Sequence, residues 1–190
     1  QAVAGNDVPK SPTRILLVGA LSSYHNDFLY KQANSPRSYD IVLYGSGLET
    51  EKLEGKVDYK GFVSSDELIA TAEGEYGLAW YGSSLEGGSG ALGEYLQYNA
   101  PHKMSLYIRC GLPIIVWEKA GLAPFVKKNN VGICISSLTE LEDILPKISA
   151  GQYMEMKKNV LQIADKLSHG YYCFKAIKQA CADLGVEIKG

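Results

Sequence analysis

The sequence has 190 residues, 46% of them hydrophobic and 21% charged, with a formal net charge of −2. That is enough chain for one domain with its own core, in an ordinary globular composition. The charge leaves no basic surplus to neutralise a nucleic-acid backbone, and no apolar run approaches the ~20 residues that cross a bilayer.

In chain order, residues 1–12 carry Gly5, Pro9 and Pro12 among small and polar residues and read as a tail or linker. Arg14 to Gly19 is a short apolar run closed by glycine, the style of a buried strand. A helical segment follows around Asn26 to Gln32, then a second strand from Asp40 to Gly45 and a third from Val57 to Gly61. Ser64, Ser65, Asp66 and Glu67 open a helix, because serine can cap free amides and early carboxylates suit the positive end of the helix dipole. Tyr76 to Tyr81 is the fourth strand. A glycine- and serine-rich stretch at 83–90 reads either as a lid or as a disordered surface loop, and 91–98 as helical.

Pro101 to Cys110 is expected as a helix with proline near its start, ended by Gly111. Pro113 to Trp117 and Val131 to Ile135 are the fifth and sixth strands. Helices are expected over Leu138 to Ile148, over 151–168 and over 171–184, the last with Phe174, Ile177, Cys181 and Leu184 at helical spacing.

Strands alternate with helices, and the strands are continuous apolar runs. This pattern predicts a doubly wound, Rossmann-like parallel sheet of the α/β class, covered on both faces. The expected layout is a tail at 1–12, the Rossmann-like domain at 13–150 and helices at 151–190 packed on it. Ligands of such sheets bind at the carboxyl ends of the strands.

Three constellations lie there. A helix starting near Pro101 aims free amides at an anion, and Lys103 in its first turn disfavours the helix unless an anion is present. A diphosphate would use both, with Ser105 as a further donor; a solvated lysine on a capped helix fits the same pattern. Gly19, Ala20 and Leu21 after the first strand permit close backbone approach, yet match neither G-x-G-x-x-G nor a P-loop, and an ordinary turn fits equally. The 83–90 stretch is the third. His25, His102 and His169 are not at metal-ligand spacing and read as structural or solvated. No metal site is expected. The four cysteines contain no C-x-x-C pair and suggest reduced thiols in a cytoplasmic setting. No signal-peptide pattern is read, and the opening on Gln1 rather than Met suits a piece of a longer protein.

The stretch Lys60-Gly61-Phe62-Val63-Ser64-Ser65-Asp66-Glu67-Leu68, with Gly77-Leu78 after it, resembles a segment of GT-B glycosyltransferases. Tyr98-Asn99-Ala100-Pro101-His102-Lys103, followed by Tyr107 and Gly111-Leu112-Pro113-Ile114-Ile115, resembles the galactofuranosyltransferases and the glucosyltransferases of serine-rich-repeat adhesins. Ala120-Gly121-Leu122 with Val131-Gly132-Ile133 is similar to the closing part of the same domain.

The resemblance covers about residues 13–145 and implies the C-terminal half of a GT-B enzyme. That half would bind a nucleotide sugar, usually UDP-linked, as donor substrate, with no further cofactor. A missing N-terminal domain would hold the acceptor and commonly the catalytic base, so this chain would be inactive alone. The product would be a cell-surface glycan or glycoprotein.

On this resemblance Lys103 contacts the diphosphate, and Asn99, Ser105 and Tyr107 line the nucleotide or phosphate pocket. The backbone of Phe62 and Val63 meets uracil, and Gly19, Ala20 and Leu21 lie near the phosphates. Leu106 stands where many relatives carry a ribose-binding acid, leaving Glu94, Glu118 and Glu86 as candidates. The C-terminal helices suit packing on the missing domain or on a second subunit. Two rivals remain open: a non-catalytic nucleotide-binding module, and a flavodoxin- or receiver-like domain. The latter is disfavoured because Gly19-Ala20-Leu21 lacks the acids or phosphate loop it needs.

Overall fold

Apolar segments form five of the six strands, as burial on both faces of a parallel sheet requires, and the remaining one is a two-residue, partly exposed edge strand at Asp58 and Tyr59. The computed structural model describes residues 11–186. The expected tail at 1–12 therefore falls, apart from Ser11 and Pro12, outside the described residues, as do 187–190 of the C-terminal segment.

The strands are β1 (Arg14–Ala20), β2 (Asp40–Ser46), β3 (Asp58–Tyr59), β4 (Tyr76–Ala79), β5 (Ile114–Trp117) and β6 (Gly132–Ile135). All pair in parallel, in the order β3-β2-β1-β4-β5-β6. This is the Rossmann order, with its direction reversing between β1 and β4. Flavodoxin- and receiver-like sheets run 2-1-3-4-5, so that alternative is excluded. Ile15, Leu16, Leu17, Val42, Leu43, Ile114, Ile115 and Val116 are at most 1% exposed and form the sheet's share of the core.

The crossovers are α1 (Ser23–Asn34), α2 (Ser65–Thr71), α3 (Gly90–Tyr95), α4 (His102–Arg109) and α5 (Ala123–Asn129). The Ser64 side chain accepts from the Glu67 N–H at 3.2 Å, the cap expected at the start of α2. Helix α5 is absent from the expected elements. It is short and begins with proline in its first turn, so its periodicity is weak, but two parallel strands need a crossover there.

The expected helix over Leu138 to Ile148 is broken. Only α6 (Leu141–Ile144) is α-helical, between two single 3₁₀ turns, the second of which contains Pro146.

Ser149 and Gln152 form a capping box at the start of α7 (Ala150–Ser168), which buries Tyr153, Met156, Val160 and Ile163 as it packs on α4. The final helix, α8 (Tyr171–Asp183), contacts α7 but buries none of its residues fully. Phe174 and Ile177 remain 53% and 50% exposed, so the expected apolar stripe is present and largely uncovered.

Candidate functional site

The carboxyl ends of β1 and β4, where the sheet reverses direction, open onto a cavity of about 580 Å³. Open α/β sheets bind their ligands at this switch point, and the volume lies in the range of small-molecule sites. One wall is the end of β1, Val18 to Ala20. The opposite wall is the start of α4, with Asn99, Pro101, His102 and Lys103. Tyr81 closes the floor after β4, and His25 and Asn26 come in from α1.

Pro101 is the N-cap of α4 rather than a residue inside its first turn, with extended backbone at φ −62°, ψ 134°. A proline cap has no side-chain oxygen to accept from the first amides, so those of His102 and Lys103, two residues of the cavity lining, are left without a side-chain cap, while the Met104 N–H donates to the Pro101 carbonyl at 3.0 Å. The Lys103 Nζ lies 3.9 Å from the centre of the Tyr81 ring. Burial pulls the Lys103 pKa down to about 7, with no nearby carboxylate opposing the shift.

The start of α1 differs. Ser22 makes no side-chain cap, and the Ser23 N–H donates to the Glu49 carboxylate at 2.6 Å. Hydrogen bonds from Lys52 and Ser23 hold the Glu49 pKa well down, at about 2. The start of α1 therefore already has a carboxylate, and the start of α4 does not.

Helix α1 is broken at Asn26, whose φ −138° and ψ 52° are non-helical. The Asn26 Nδ2 donates to the Ala20 carbonyl at 2.6 Å. The same break lets Gly82 N–H donate to the His25 carbonyl and Phe28 N–H to the Gly82 carbonyl, both at 3.2 Å. These bonds tie the β1 end to the loop after β4.

The site residues expected from the sequence separate into three groups. Gly19, Ala20, Asn99 and Lys103 share the cavity. Phe62 and Val63 lie on the connection from β3 to α2, whose Ser65 borders the cavity, with Phe62 78% exposed.

Leu21, Ser105 and Tyr107 do not line it. Leu21 is fully buried, and its carbonyl accepts from the Tyr30 hydroxyl at 2.7 Å, so its side chain packs inward. Ser105 is exposed, because two residues along a helix from Lys103 lies on the far side. Tyr107 sits one turn below Lys103 on the same side and is 0% exposed, within the core.

Glu86, Glu94 and Glu118 are exposed and outside the cavity lining, while Leu106 lines it. His25 and His102, read from sequence as structural or solvated, are part of the lining. Tyr81 and Asn26 were missed altogether, since nothing local marks either as a wall.

The 83–90 stretch is anchored. Trp80 Nε1 donates to the Ser84 carbonyl at 3.0 Å, and the Leu138 N–H donates to the Leu85 carbonyl at 2.8 Å. Gly87 and Gly88 press on the Trp117 indole so closely that a Cβ on either would overlap it. Among the described residues, no group of three His, Cys, Asp or Glu side chains is placed to hold a metal ion.

The model of the family described as "Glucosyltransferase 3-like, C-terminal domain" matches residues 15–180. This chain belongs to that family. The domain is 31% identical to the beta-1,6-galactofuranosyltransferase WbbI of Escherichia coli (strain K12), over 96% of this chain and 53% of the relative. It is 28% identical to Glucosyltransferase 3 of Streptococcus gordonii, over 72% of this chain and 40% of that protein. The chain thus spans about half the length of these relatives.

Among solved structures the domain is similar to Anabaena Alr3699/HepE, crystallised in complex with UDP-glucose, at TM-score 0.56 and 15% identity over 88% of this chain and 49% of that one. It is also similar to AviGT4, a glycosyltransferase of avilamycin A biosynthesis, at TM-score 0.50 and 19% identity over 90% of this chain and 53% of that one. These two likenesses show the GT-B half-fold. No described helix is long and apolar enough to cross a membrane.

Proposed function

We propose that this domain holds the diphosphate of a UDP-linked sugar in the β1–α4 cavity, as the donor half of a metal-independent glycosyltransferase. The observation that carries the reading is the conjunction at α4: a lysine without a carboxylate partner, on a helix start whose amides are uncapped, facing a ligand-sized cavity. An anion is the group this arrangement lacks, and Lys103 with the α4 amides would stabilise the departing diphosphate as a metal does elsewhere. UDP is the choice supported by the UDP-glucose of the HepE relative and by the expected backbone contact at Phe62 and Val63. The acceptor, the second wall of the active site and the catalytic base belong to the half of the enzyme that this chain does not span. Construction of a cell-surface glycan or glycoprotein, in a cytoplasmic setting, completes the proposal.

Calorimetric titration of the chain with UDP, ADP and GDP in EDTA tests it. UDP binds preferentially without metal, and Lys103→Ala weakens it at least about tenfold, the loss of one charge-assisted contact of roughly 1.5–3 kcal/mol. Unchanged affinity in that variant overturns the assignment.

A further inference from the structure

We propose that Tyr107 is a positioning residue that holds the cleft between β1 and β4 open and sets its two walls relative to each other. The inference rests on the donor-cleft reading above.

Strands β1 and β4 pair only at Ile15 with Tyr76 and at Leu16 with Gly77. Continuing that register would bring the Val18 N–H opposite the Leu78 carbonyl. Those two groups do not meet. The Val18 N–H donates to the Tyr107 hydroxyl at 3.0 Å, and that hydroxyl donates to the Leu78 carbonyl at 3.0 Å. One phenol oxygen is inserted into the ladder, satisfying a donor on one strand and an acceptor on the other. The strands part where Val18 leads into Gly19 and Ala20, the β1 wall of the cavity.

The sequence makes room for this insertion at Gly77. A Cβ there would fall inside the Tyr107 ring, so only glycine lets the ring lie flat on β4. Tyr107 is four residues after Lys103, hence on the same side of α4 and one turn deeper. A single side chain therefore links the β1 end, the β4 end that leads to Tyr81, and the helix that carries Lys103. It touches no ligand itself, being wholly buried. A cleft built this way would depend on that hydroxyl for the separation of its walls.

Tyr153 supplies the control. It is also 0% exposed, and its hydroxyl donates to the Glu75 carbonyl at 3.1 Å, just before β4 begins and away from the cavity. Tyr107→Phe removes both hydrogen bonds of its buried phenol and Tyr153→Phe removes one, so both lower the Tm. Tyr107→Phe alone is expected to weaken UDP about tenfold and to speed amide exchange at Val18, Gly19 and Ala20 about tenfold or more in the ligand-free chain. Equal effects of the two substitutions on affinity and exchange overturn the inference.

The exchange comparison needs no ligand. If the wild-type chain binds no UDP, the donor-cleft reading fails while the role of Tyr107 in the ladder is still decided. Should Tyr107→Phe not fold, the wild-type protein decides the point: the Val18 amide, beyond the last ladder pair, must exchange as slowly as Leu16. Exchange as fast as at Ser22 refutes the insertion.

Discussion

Binding of a diphosphate beside Lys103 should draw a proton from solvent, and the amount follows from the structure. Burial without a carboxylate partner lowers the Lys103 pKa from 10.5 to about 7 in the free cavity. A bound diphosphate supplies the missing counter-charge and restores the higher value. Between pH 7 and that value the complex holds more protons than the free protein, so affinity falls as pH rises through the window and is flat with respect to Lys103 below pH 7.

At pH 8 the free lysine is about ten parts neutral to one charged, giving an uptake of about 0.9 proton per UDP; at pH 6 it is about 0.1. Each pH unit above 7 costs about tenfold in affinity. Water reaching the half-open cavity softens the burial penalty, so these figures are ceilings. The assay is calorimetry in buffers of different ionisation enthalpy at pH 6 and pH 8.

His25 and His102 share the lining, and UDP titrates on its own account. The titration is therefore repeated on Lys103→Met, where the lysine's share vanishes and theirs remains. An uptake at pH 8 that is the same in wild type and Lys103→Met refutes the reasoning.

The same burial predicts that Lys103→Met raises the Tm of the free chain at pH 6, where wild type must carry the desolvated charge, while it weakens UDP; a lowered Tm shows that the ammonium is not under penalty. Gly77→Ala drives a methyl group into the Tyr107 ring and should cost at least about 3 kcal/mol in urea unfolding; a cost under about 1 kcal/mol shows that the ring can retreat. Ile114→Ala, at a fully buried position in β5, should cost about 2–5 kcal/mol, whereas Ile177→Ala on the half-exposed face of α8 should stay within about 0.5 kcal/mol; equal losses place α8 in the core.

Most of the sheet was legible in the sequence, because a strand buried on both faces must be apolar throughout, and five of the six runs announce themselves this way, the partly exposed edge strand at Asp58 and Tyr59 being the exception. The α2 cap at Ser64 and the position of Lys103 at a helix start were legible for the same reason: both depend on neighbours within one turn. Helix α5 was not, being a short segment whose early proline blurs its period.

What tertiary structure alone decided is who faces whom. The aromatic ring under Lys103 comes from Tyr81, and the carboxylate at the start of α1 comes from Glu49, neither adjacent in sequence. Tyr107 reads as a pocket residue in the motif, yet it points into the core because Gly77 on another element clears a space for it. The stripe on α8 shows the limit from the other side: its period is written in residues 171–184, but its exposure depends on what packs against it. Periodicity is a property of the local backbone, whereas burial and hydrogen-bond partnership belong to surfaces that meet only when distant segments are folded together.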